Sequence, residues 1–434
     1  MDKMADVLGR AGAWCGQNKY LSAIKNAFQN FMPLTIAGAI GVLWCNVLVN
    51  DQTGLGLFFK PIMALDFLNP AFQAVNFCTI SCITVGITLG IAQEIGVWNM
   101  GAERAGYIPG LVGLAAWLSV TNTSHMVEGA KEAFTGIAGN ELGATGLFTG
   151  MIIGVLSVEL FCFFEKQDAL KIKMPEQVPP GVARAFEVLV PATITLIITA
   201  CIGSACYNLT GLYLNDVIKN GIQGPLGAVG ATIPGVMIIY LVIMLFWLVG
   251  IHGNNMLSVV KESIFTPLAL ESVEKFNRGE KTTNIINMYA IQMWGEIGGS
   301  GCTLGLVIAI FIFSKREDNK AIATLSLVPG LFNINETVTF GVPMVLNPIL
   351  GIPFVVAPLI TIIIGYVLTV IGFCPVACLT VPWTTPPIVF GFLACGANVM
   401  GAVTQAILIV VSTVIYVPFL IAYEKYQNKQ AAEA

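Results

Sequence analysis

The feature that most constrains this chain is the length of its stretches without any charged side chain. Residues 337–423 contain no Asp, Glu, Lys or Arg over 87 consecutive positions, and residues 220–260 contain none over 41. A helix needs about 20 apolar residues to cross the hydrocarbon core of a bilayer. The runs are continuously apolar rather than alternating, which favours helices over a transmembrane barrel. The chain is therefore predicted to be an all-α polytopic membrane protein.

The overall composition supports this class and excludes others. Only 11% of the 434 residues are charged and 56% are hydrophobic, whereas soluble domains are about 25% charged. A soluble enzyme, a disordered chain and a protein that binds nucleic acid through a basic face are therefore excluded. The 11 Cys lie in or beside apolar runs without metal-binding spacing. We expect them to be packing residues, and we expect no metal and no other cofactor.

Positive charges gather in a few places, and these places predict the topology. By the positive-inside rule, both tails and the basic segment 166–184 are cytoplasmic. About ten transmembrane helices plus re-entrant hairpins are expected, and clear spans lie near 30–50, 71–93, 106–120, 144–164, 187–208, 226–250, 349–372 and 401–423.

The stretch 286–314 leaves two topologies open. It lies between two basic clusters and is too short for two full crossings. Either it turns back inside the membrane, or the basic cluster at 315–320 faces outward.

The two halves of the chain differ in character, which predicts a division of roles. Residues 1–164 contain few buried polar groups, so the half 31–208, with a cytoplasmic linker at 165–186, is expected to form a scaffold or oligomer interface. Residues 226–398 carry charged, amide and Gly/Pro elements inside apolar runs, which predicts residues 209–424 as a transport domain built from broken helices. Residues 1–30 are interpreted as an amphipathic interfacial segment rather than a signal peptide, and 425–434 as a cytoplasmic tail.

Two polar motifs stand out in the second half. His252 is followed by Gly253 and by two amides, Asn254 and Asn255, inside the uncharged run 220–260. These groups could bind sugar hydroxyls or a phosphoryl oxygen, or they could cap a helix terminus at the interface. Asn335 and Glu336 open the longest uncharged run. Because a carboxylate at the bilayer centre costs about 2.5–3.5 kcal/mol, Glu336 is expected to face a cavity or a partner.

Two further segments cannot form regular helices. Glu296 is followed by a glycine-rich stretch that includes Gly298 and Ser300. This stretch could be a re-entrant tip that exposes backbone N–H groups to an anion, or a site of close helix packing. Trp383 lies in the proline-rich segment 382–387. An indole held there could stack on a pyranose, or it could anchor the chain at the membrane interface.

In combination, these motifs resemble a known family of permeases. The segment 174–182, Met-Pro-Glu-Gln-Val-Pro-Pro-Gly-Val, looks like an element of the sugar phosphotransferase-system permeases of the lactose/cellobiose/diacetylchitobiose family. The resemblance covers nearly the whole chain in order and spacing. It also rests on Gly253-Asn-Asn255, Phe332-Asn-Ile-Asn-Glu336, Phe340-Gly-Val-Pro343 and Val381-Pro-Trp-Thr-Thr-Pro-Pro387.

The resemblance implies an EIIC component, a homodimer that crosses the bacterial inner membrane. Such a protein binds a disaccharide such as cellobiose or chitobiose and carries it inward. A phosphocysteine on the cytosolic EIIB partner, which is charged through EIIA, then phosphorylates the sugar. By motif match, His252 and Glu336 are the catalytic pair that holds the acceptor hydroxyl and offsets phosphoryl charge. The implied substrate-binding residues are Asn254, Asn255, Glu296, Gly298, Ser300, Asn335 and Trp383.

Which of His252 and Glu336 is the base stays open at this point. The sequence shows no Cys with a phosphate-binding loop in a soluble region. EIIB is therefore expected as a separate protein, and this favours cellobiose or chitobiose over lactose. The chain would take part in phosphoryl transfer without carrying the phosphorylated Cys.

Two other classes compete with this interpretation. In a proton-coupled sugar symporter, Glu296 and Glu336 would carry protons and the product inside would be free sugar. In a structural membrane protein without a ligand, the polar groups of residues 250–390 would pair among themselves.

Overall fold

The computed structural model describes residues 14, 17–51, 55–57, 59–125, 134–175, 177–342, 344–345 and 347–433. Helices dominate these residues, which confirms the predicted all-α class. The described residues also contain a short antiparallel ribbon of β1 (Ser124–His125) and β2 (Phe134–Thr135). Outside the described residues lie most of the predicted interfacial segment before Gln17, the last tail residue, and positions 176 and 343 of the quoted motifs.

The helices before residue 220 are, in chain order, α1 (Lys19–Leu43), α2 (Asn69–Asn76), α3 (Ile83–Met100), α4 (Ala102–Ala105), α5 (Ile108–Val120), α6 (Gly139–Leu142), α7 (Ala144–Glu165), α8 (Pro180–Thr210) and α9 (Leu214–Ile218). Shorter 3-10 or π-helical segments lie between or beside them, at Trp44–Leu48, Leu55–Leu57, Lys60–Leu68, Phe77–Ser81, Asp168–Leu170 and Lys219–Gln223.

The later helices are α10 (Gly224–Gly230), α11 (Ile233–Leu248), α12 (Gly253–Met256), α13 (Ser258–Asn277), α14 (Met288–Gly295), α15 (Leu304–Phe313), α16 (Glu317–Leu331), α17 (Glu336–Gly341), α18 (Gly351–Val370), α19 (Val389–Ala394) and α20 (Val399–Glu433). A 3-10 turn at Ser300–Cys302 connects α14 to α15.

Individual residues explain where several of these helices begin and end. The hydroxyl of Thr232 caps α11 by accepting a hydrogen bond from the backbone of Gly235 at 3.2 Å, and Pro234 supports the first turn. Asn287 caps α14 in the same way. Helix α8 ends at Gly211, whose φ of +72° is the left-handed conformation that glycine adopts without strain. Capping side chains, proline and glycine therefore set these helix boundaries.

The apolar runs form helices of the length that a bilayer requires. Among the described residues, five helices are long and apolar enough to span a membrane, and three bent pairs raise the number to as many as eight. These confirm a multi-pass helical protein, while the count of about ten spans stays a prediction. The bent pairs are Lys60–Ser81 with Ile83–Met100 (42°), Leu214–Gly230 with Ile233–Leu248 (77°) and Met288–Cys302 with Leu304–Phe313 (59°).

The stretch 286–314, which the sequence left open, contains the third bent pair. The connection after it contacts the end of α20 through one carboxylate, Glu424. This carboxylate accepts hydrogen bonds from the Ser314 hydroxyl, from the Lys315 backbone at 3.2 Å and from the Asn319 amide at 3.1 Å. Residues 314–319 therefore lie at the same membrane face as the end of α20. Together with the cytoplasmic C-terminus that the positive charges predict, this contact favours a stretch that is broken inside the membrane over an outward-facing 315–320 cluster.

The chain divides into two compact units. The smaller unit comprises Gly16–Gly38 and Val75–Leu226. Within it, α3, α5 and α7 approach closely through small residues: a Cβ added at Gly113 would lie 2.3 Å from the Ala92 side chain. Such contacts are typical of helix packing in membranes, where small residues let backbones come together. The fully buried Trp117 lies at the centre of this packing.

The larger unit includes Ala39–Ala74 and Gly227–Ala434. Helices α14, α15, α18 and α20 form its core. A Cβ added at Gly365 would lie 2.3 Å from the Trp294 ring, so only glycine admits this buried indole. The buried Tyr416 donates to the Gly301 carbonyl at 2.8 Å and fixes the turn between α14 and α15. All the site residues that the sequence predicts lie in this unit.

Candidate functional site

His252 lies in the break between α11 and α12, and the break fixes how its ring is used. Its Nδ1 accepts a hydrogen bond from the Asn255 backbone at 3.2 Å and thereby caps α12. The ring also packs on Trp247, with the centroids 4.5 Å apart. Gly253 is required here because a Cβ would lie 2.0 Å from the Ile243 carbonyl. Because Nδ1 is an acceptor, the neutral ring carries its proton on Nε2.

Glu336 is the first residue of α17, and its carboxylate faces this imidazole. The His252 Nε2 to Glu336 Oε1 distance is 3.6 Å, and the two side chains are 37% and 45% exposed. The separation is longer than a hydrogen bond, so the two atoms do not occupy each other. Because both side chains are also exposed, a ligand hydroxyl can contact both at once. The structure thus brings together the two residues that the sequence placed as a catalytic pair.

The glycine-rich turn after α14 lies beside them and has an unusual backbone. Gly298, Gly299 and Gly301 have φ values of +73°, +91° and +80°. A Cβ at Gly299 would lie 2.7 Å from both the Asn333 carbonyl and the Asn335 side-chain oxygen. The turn therefore needs glycine both for its conformation and for the close approach of its neighbours.

Two of the predicted binding amides hold this turn in place. Asn254 donates from Nδ2 to the Ser300 hydroxyl at 3.0 Å, and Asn335 donates to the Ser300 carbonyl at 3.3 Å and to Thr339 at 2.9 Å. The Asn254 Oδ1 is buried and lacks a hydrogen-bond partner among the described residues. Asn254 thus connects the His252 segment to the glycine-rich turn.

Asn333 belongs to a motif that the sequence singled out, but it is not among the predicted substrate-binding residues. It adopts a left-handed φ of +61°. Its side-chain amide connects its own motif to the glycine-rich turn and to the proline-rich segment. Its Nδ2 donates to the carbonyls of Trp383 at 2.6 Å and Thr385 at 3.1 Å, and its Oδ1 accepts from the Gly298 backbone at 2.8 Å. Its presence inside the quoted Phe332–Glu336 motif was the available signal.

Trp383 projects from the proline-rich segment that Asn333 holds. Its side chain is 43% exposed, although the backbone beneath it is fixed. A partly exposed indole on an anchored segment offers a flat apolar surface to a ligand. The structure places the segment of Trp383 next to Asn333 and the glycine-rich turn.

Glu296 is engaged by groups that the sequence did not connect to it. Its Oε1 forms an ion pair with the Lys261 ammonium group and accepts a hydrogen bond from the Tyr240 hydroxyl at 2.9 Å. By sequence, Lys261 groups with the basic residues around 275–281. Its position at the end of the uncharged run 220–260 was the signal that it is buried.

No group of three or more His, Cys, Asp or Glu side chains within the described ranges is arranged to hold a metal ion. What the arrangement offers is an imidazole, a carboxylate, amides and an indole around interrupted helices in one unit. Fold and site together define a polytopic helical membrane protein whose broken helices bring polar groups together, as in transporters.

Comparisons with known proteins identify the family. The family model "Phosphotransferase system, EIIC" matches residues 25–358. The oligo-beta-mannoside-specific EIIC component of Bacillus subtilis (strain 168) is 33% identical, over 98% of this chain and 94% of that protein. The cellobiose-specific EIIC component of Lactococcus lactis subsp. lactis (strain IL1403) is 30% identical, over 98% of both chains.

A solved structure agrees with these matches. The crystal structure of the transporter ChbC, the IIC component from the N,N'-diacetylchitobiose-specific phosphotransferase system, has a TM-score of 0.88 to this chain. The two are 29% identical, and the match covers 97% of each. The chain belongs to the phosphotransferase-system EIIC family. The resemblance found in the sequence is confirmed. The comparisons support the function of an EIIC component rather than that of a proton-coupled symporter.

Proposed function

We propose that this EIIC component binds a disaccharide of the cellobiose or chitobiose type, carries it inward and presents it to phosphorylated EIIB. The names of the cellobiose- and diacetylchitobiose-specific relatives support the substrate class. The observation that carries the proposal is the exposed His252–Glu336 pair, whose facing atoms are 3.6 Å apart. An acceptor hydroxyl between them would donate to the Glu336 carboxylate and accept from the His252 Nε2–H group.

The imidazole orientation assigns the base in this proposal. His252 Nδ1 is occupied by the Asn255 backbone, so the neutral ring presents a proton, not a lone pair, toward Glu336. Glu336 therefore takes the hydroxyl proton as the sugar oxygen attacks phosphorus. The phosphorus–sulfur bond breaks, and the cysteine of EIIB leaves as a thiolate. His252 donates to the acceptor oxygen and positions it, which is the main requirement of phosphoryl transfer.

The remaining predicted residues form the proposed sugar cradle, except Glu296, whose predicted contact with the substrate is not part of this proposal because its carboxylate pairs with Lys261. Asn254 offers its free Oδ1, and Trp383 offers its exposed ring face. Asn335, Ser300 and Gly298 contribute by holding the glycine-rich turn against the pair. For Asn255, the backbone bond to His252 supports a role next to the substrate.

Vesicles that contain the purified protein test this function. With EIIB, EIIA and their phosphodonors enclosed, external cellobiose or diacetylchitobiose should accumulate inside as sugar phosphate. The matched control omits EIIB and should show no coupled accumulation. Equal accumulation of free sugar under a proton gradient alone would contradict the proposal, because a symporter needs no phosphoryl donor.

The assembly and orientation are part of the same proposal. We propose a homodimer with residues 31–208 as the scaffold and dimer contact, residues 209–424 as the transport domain and both termini in the cytoplasm. The positive charges of the tails and of residues 166–184 support this orientation. Cross-linking in native membranes tests the dimer, and a cross-linked pair formed through residues 31–208 is the expected product.

A further inference from the structure

The larger unit buries an ion pair that the proposed reaction does not yet use. The side chains of Lys261 and Glu296 are only 8% and 14% exposed, and they contact each other directly. Tyr240 completes the cluster: its buried hydroxyl donates to Glu296 at 2.9 Å, and the ammonium group lies 5.5 Å from its ring centroid. A charged pair away from water persists only when each partner is compensated.

Helix geometry connects this cluster to the glycine-rich turn. Glu296 directly follows the last residue of α14, and its carbonyl accepts a hydrogen bond from the Gly299 backbone at 3.1 Å. The next contact along the turn is Gly298 to Asn333 at 2.8 Å, and Asn333 is three residues before Glu336. A shift of the Glu296 side chain would therefore move the turn on which the proposed sugar cradle rests.

Charge connects the same cluster to the catalytic pair. Glu336, Glu296 and Lys261 all lie within electrostatic range of His252, two of them as carboxylates and one as an ammonium group. Glu262, next to Lys261, is bonded to the Thr266 hydroxyl on the same helix. An uncompensated Glu296 would place a further negative charge near a site that must accept an anionic phosphoryl group.

We propose that Lys261 is a positioning residue for sugar phosphorylation: it holds the Glu296 carboxylate, and through it the glycine-rich turn, and it cancels the charge of Glu296 beside His252. This inference rests on the proposed function. Neither Lys261 nor Glu296 is assigned a contact with the sugar or with the phosphoryl group. The pair acts through the 296–300 backbone and through its neutral total charge.

Removal of one charged partner should therefore slow phosphorylation, whereas removal of both partners should restore most of the rate. Lys261→Met leaves a buried carboxylate unpaired, and Glu296→Gln leaves a buried ammonium group unpaired. Each single variant should lower the maximal rate of EIIB-dependent phosphorylation by about tenfold or more, with a smaller effect on disaccharide affinity. The double variant removes both charges and should recover most of the lost rate. Lys275→Met is the matched control, because it breaks an ion pair with Glu271 on the same helix, α13.

Disaccharide binding, phosphorylation rate at saturating sugar and thermal unfolding are measured for all four variants and wild type. Recovery of the rate in the double variant, with Lys275→Met near wild type, supports the proposal. A double variant as slow as Lys261→Met would overturn it, because Lys261 would then contact the phosphoryl group itself. Loss of sugar binding in both Glu296→Gln and the double variant would also overturn it, because Glu296 would be a direct sugar ligand.

Two remaining outcomes are equally decisive. Wild-type rates in every variant would show that the pair has no role in the reaction. Variants that merely lose stability would lose disaccharide binding and phosphorylation rate together, in step with their thermal unfolding, whereas positioning lowers the rate while binding is kept; a parallel loss therefore also contradicts positioning. Failure of the proposed function itself looks different, because wild-type protein would then bind the disaccharide without EIIB-dependent phosphorylation.

Discussion

Glu336 and Asn335 are neighbours in the chain but have different surroundings. Asn335 is buried, and its amide donates hydrogen bonds to the Ser300 carbonyl and the Thr339 hydroxyl. Glu336 is half exposed and faces His252. Position in an apolar run therefore does not decide whether a polar side chain supports the fold or meets a ligand. The contacts made by its atoms decide it. Substitutions of Glu336 and His252 test the role that these contacts give to the exposed pair.

Glu336→Gln is expected to bind disaccharide with a modest loss but to lose phosphorylation by about a hundredfold or more. Gln keeps the size and hydrogen bonding of the side chain but cannot take a proton, and acid–base assistance is worth about 10²–10⁴-fold. His252→Gln should impair the same step, and the double variant should be less impaired than the product of the two effects, since both residues act on one hydroxyl. Equilibrium binding is measured beside EIIB-dependent phosphorylation.

Glu317→Gln is the matched control for this experiment. Glu317 also lies in the first turn of a helix, α16, but it is exposed and pairs with Lys320. It should behave as wild type in both assays. A Glu336→Gln protein that phosphorylates sugar at the wild-type rate would remove Glu336 from the site.

Gly299→Ala should destabilise the larger unit and reduce phosphorylation. The new Cβ meets the Asn333 carbonyl at 2.7 Å in a backbone conformation that Ala rarely adopts, and such strain costs about 1–3 kcal/mol. Gly279→Ala is the control: Gly279 has a φ of +68°, and nothing lies within 4 Å of the position that a Cβ would take, so it reports the conformational cost alone. Thermal unfolding of both variants gives the difference, and equal losses would contradict a packing role for Gly299.

At the scale of elements, the broken helices create the site. Helix α11 stops before His252, α14 stops just before Glu296, and α17 starts at Glu336. Backbone groups freed at the turn after α14 are satisfied by the side chains of Asn333 and Asn335. The same breaks that interrupt the spans thus place polar groups together at one site.

The connection between α15 and α16 gives a prediction at this scale. Glu424→Gln should destabilise the protein by about 1.5–3 kcal/mol, because the buried carboxylate accepts bonds from Ser314, Lys315 and Asn319 and a neutral amide cannot replace all of them. Lys320→Gln is the comparison, since it breaks only the exposed pair with Glu317, which is worth about 0–1 kcal/mol. Thermal unfolding in detergent measures both, and a Glu424→Gln protein as stable as Lys320→Gln would contradict this role.

For the whole molecule, the prediction concerns topology. Single cysteines at positions 173, 318 and 429, on a Cys-depleted background, should all be protected from an outside-only thiol reagent in intact cells. The basic clusters predict that 173 and 429 are cytoplasmic, and the hydrogen bond between Asn319 and Glu424 predicts that 318 lies on the same face as the end of α20. Labelling of 173 or 429 would overturn the orientation, and opposite labelling of 318 and 429 would contradict the contact.

The sequence by itself determined the class of protein, the family and the positions of several spans. A long uncharged run has no stable alternative to burial in lipid, and the helices Pro180–Thr210, Gly351–Val370 and Val399–Glu433 lie where the apolar runs predicted spans. His252 and Glu336 were recognisable because polar groups in such runs are expensive and because their flanking motifs resemble a known family.

Only the tertiary structure decided which polar groups pair with each other. The orientation of the His252 ring depends on a backbone N–H group, and the role of Asn333 depends on a left-handed turn that brings Gly298 and Trp383 together. Lys261 reaches Glu296 across 35 residues of sequence. Such pairings depend on the packing of helices that are distant along the chain, and no local pattern of residue types encodes them.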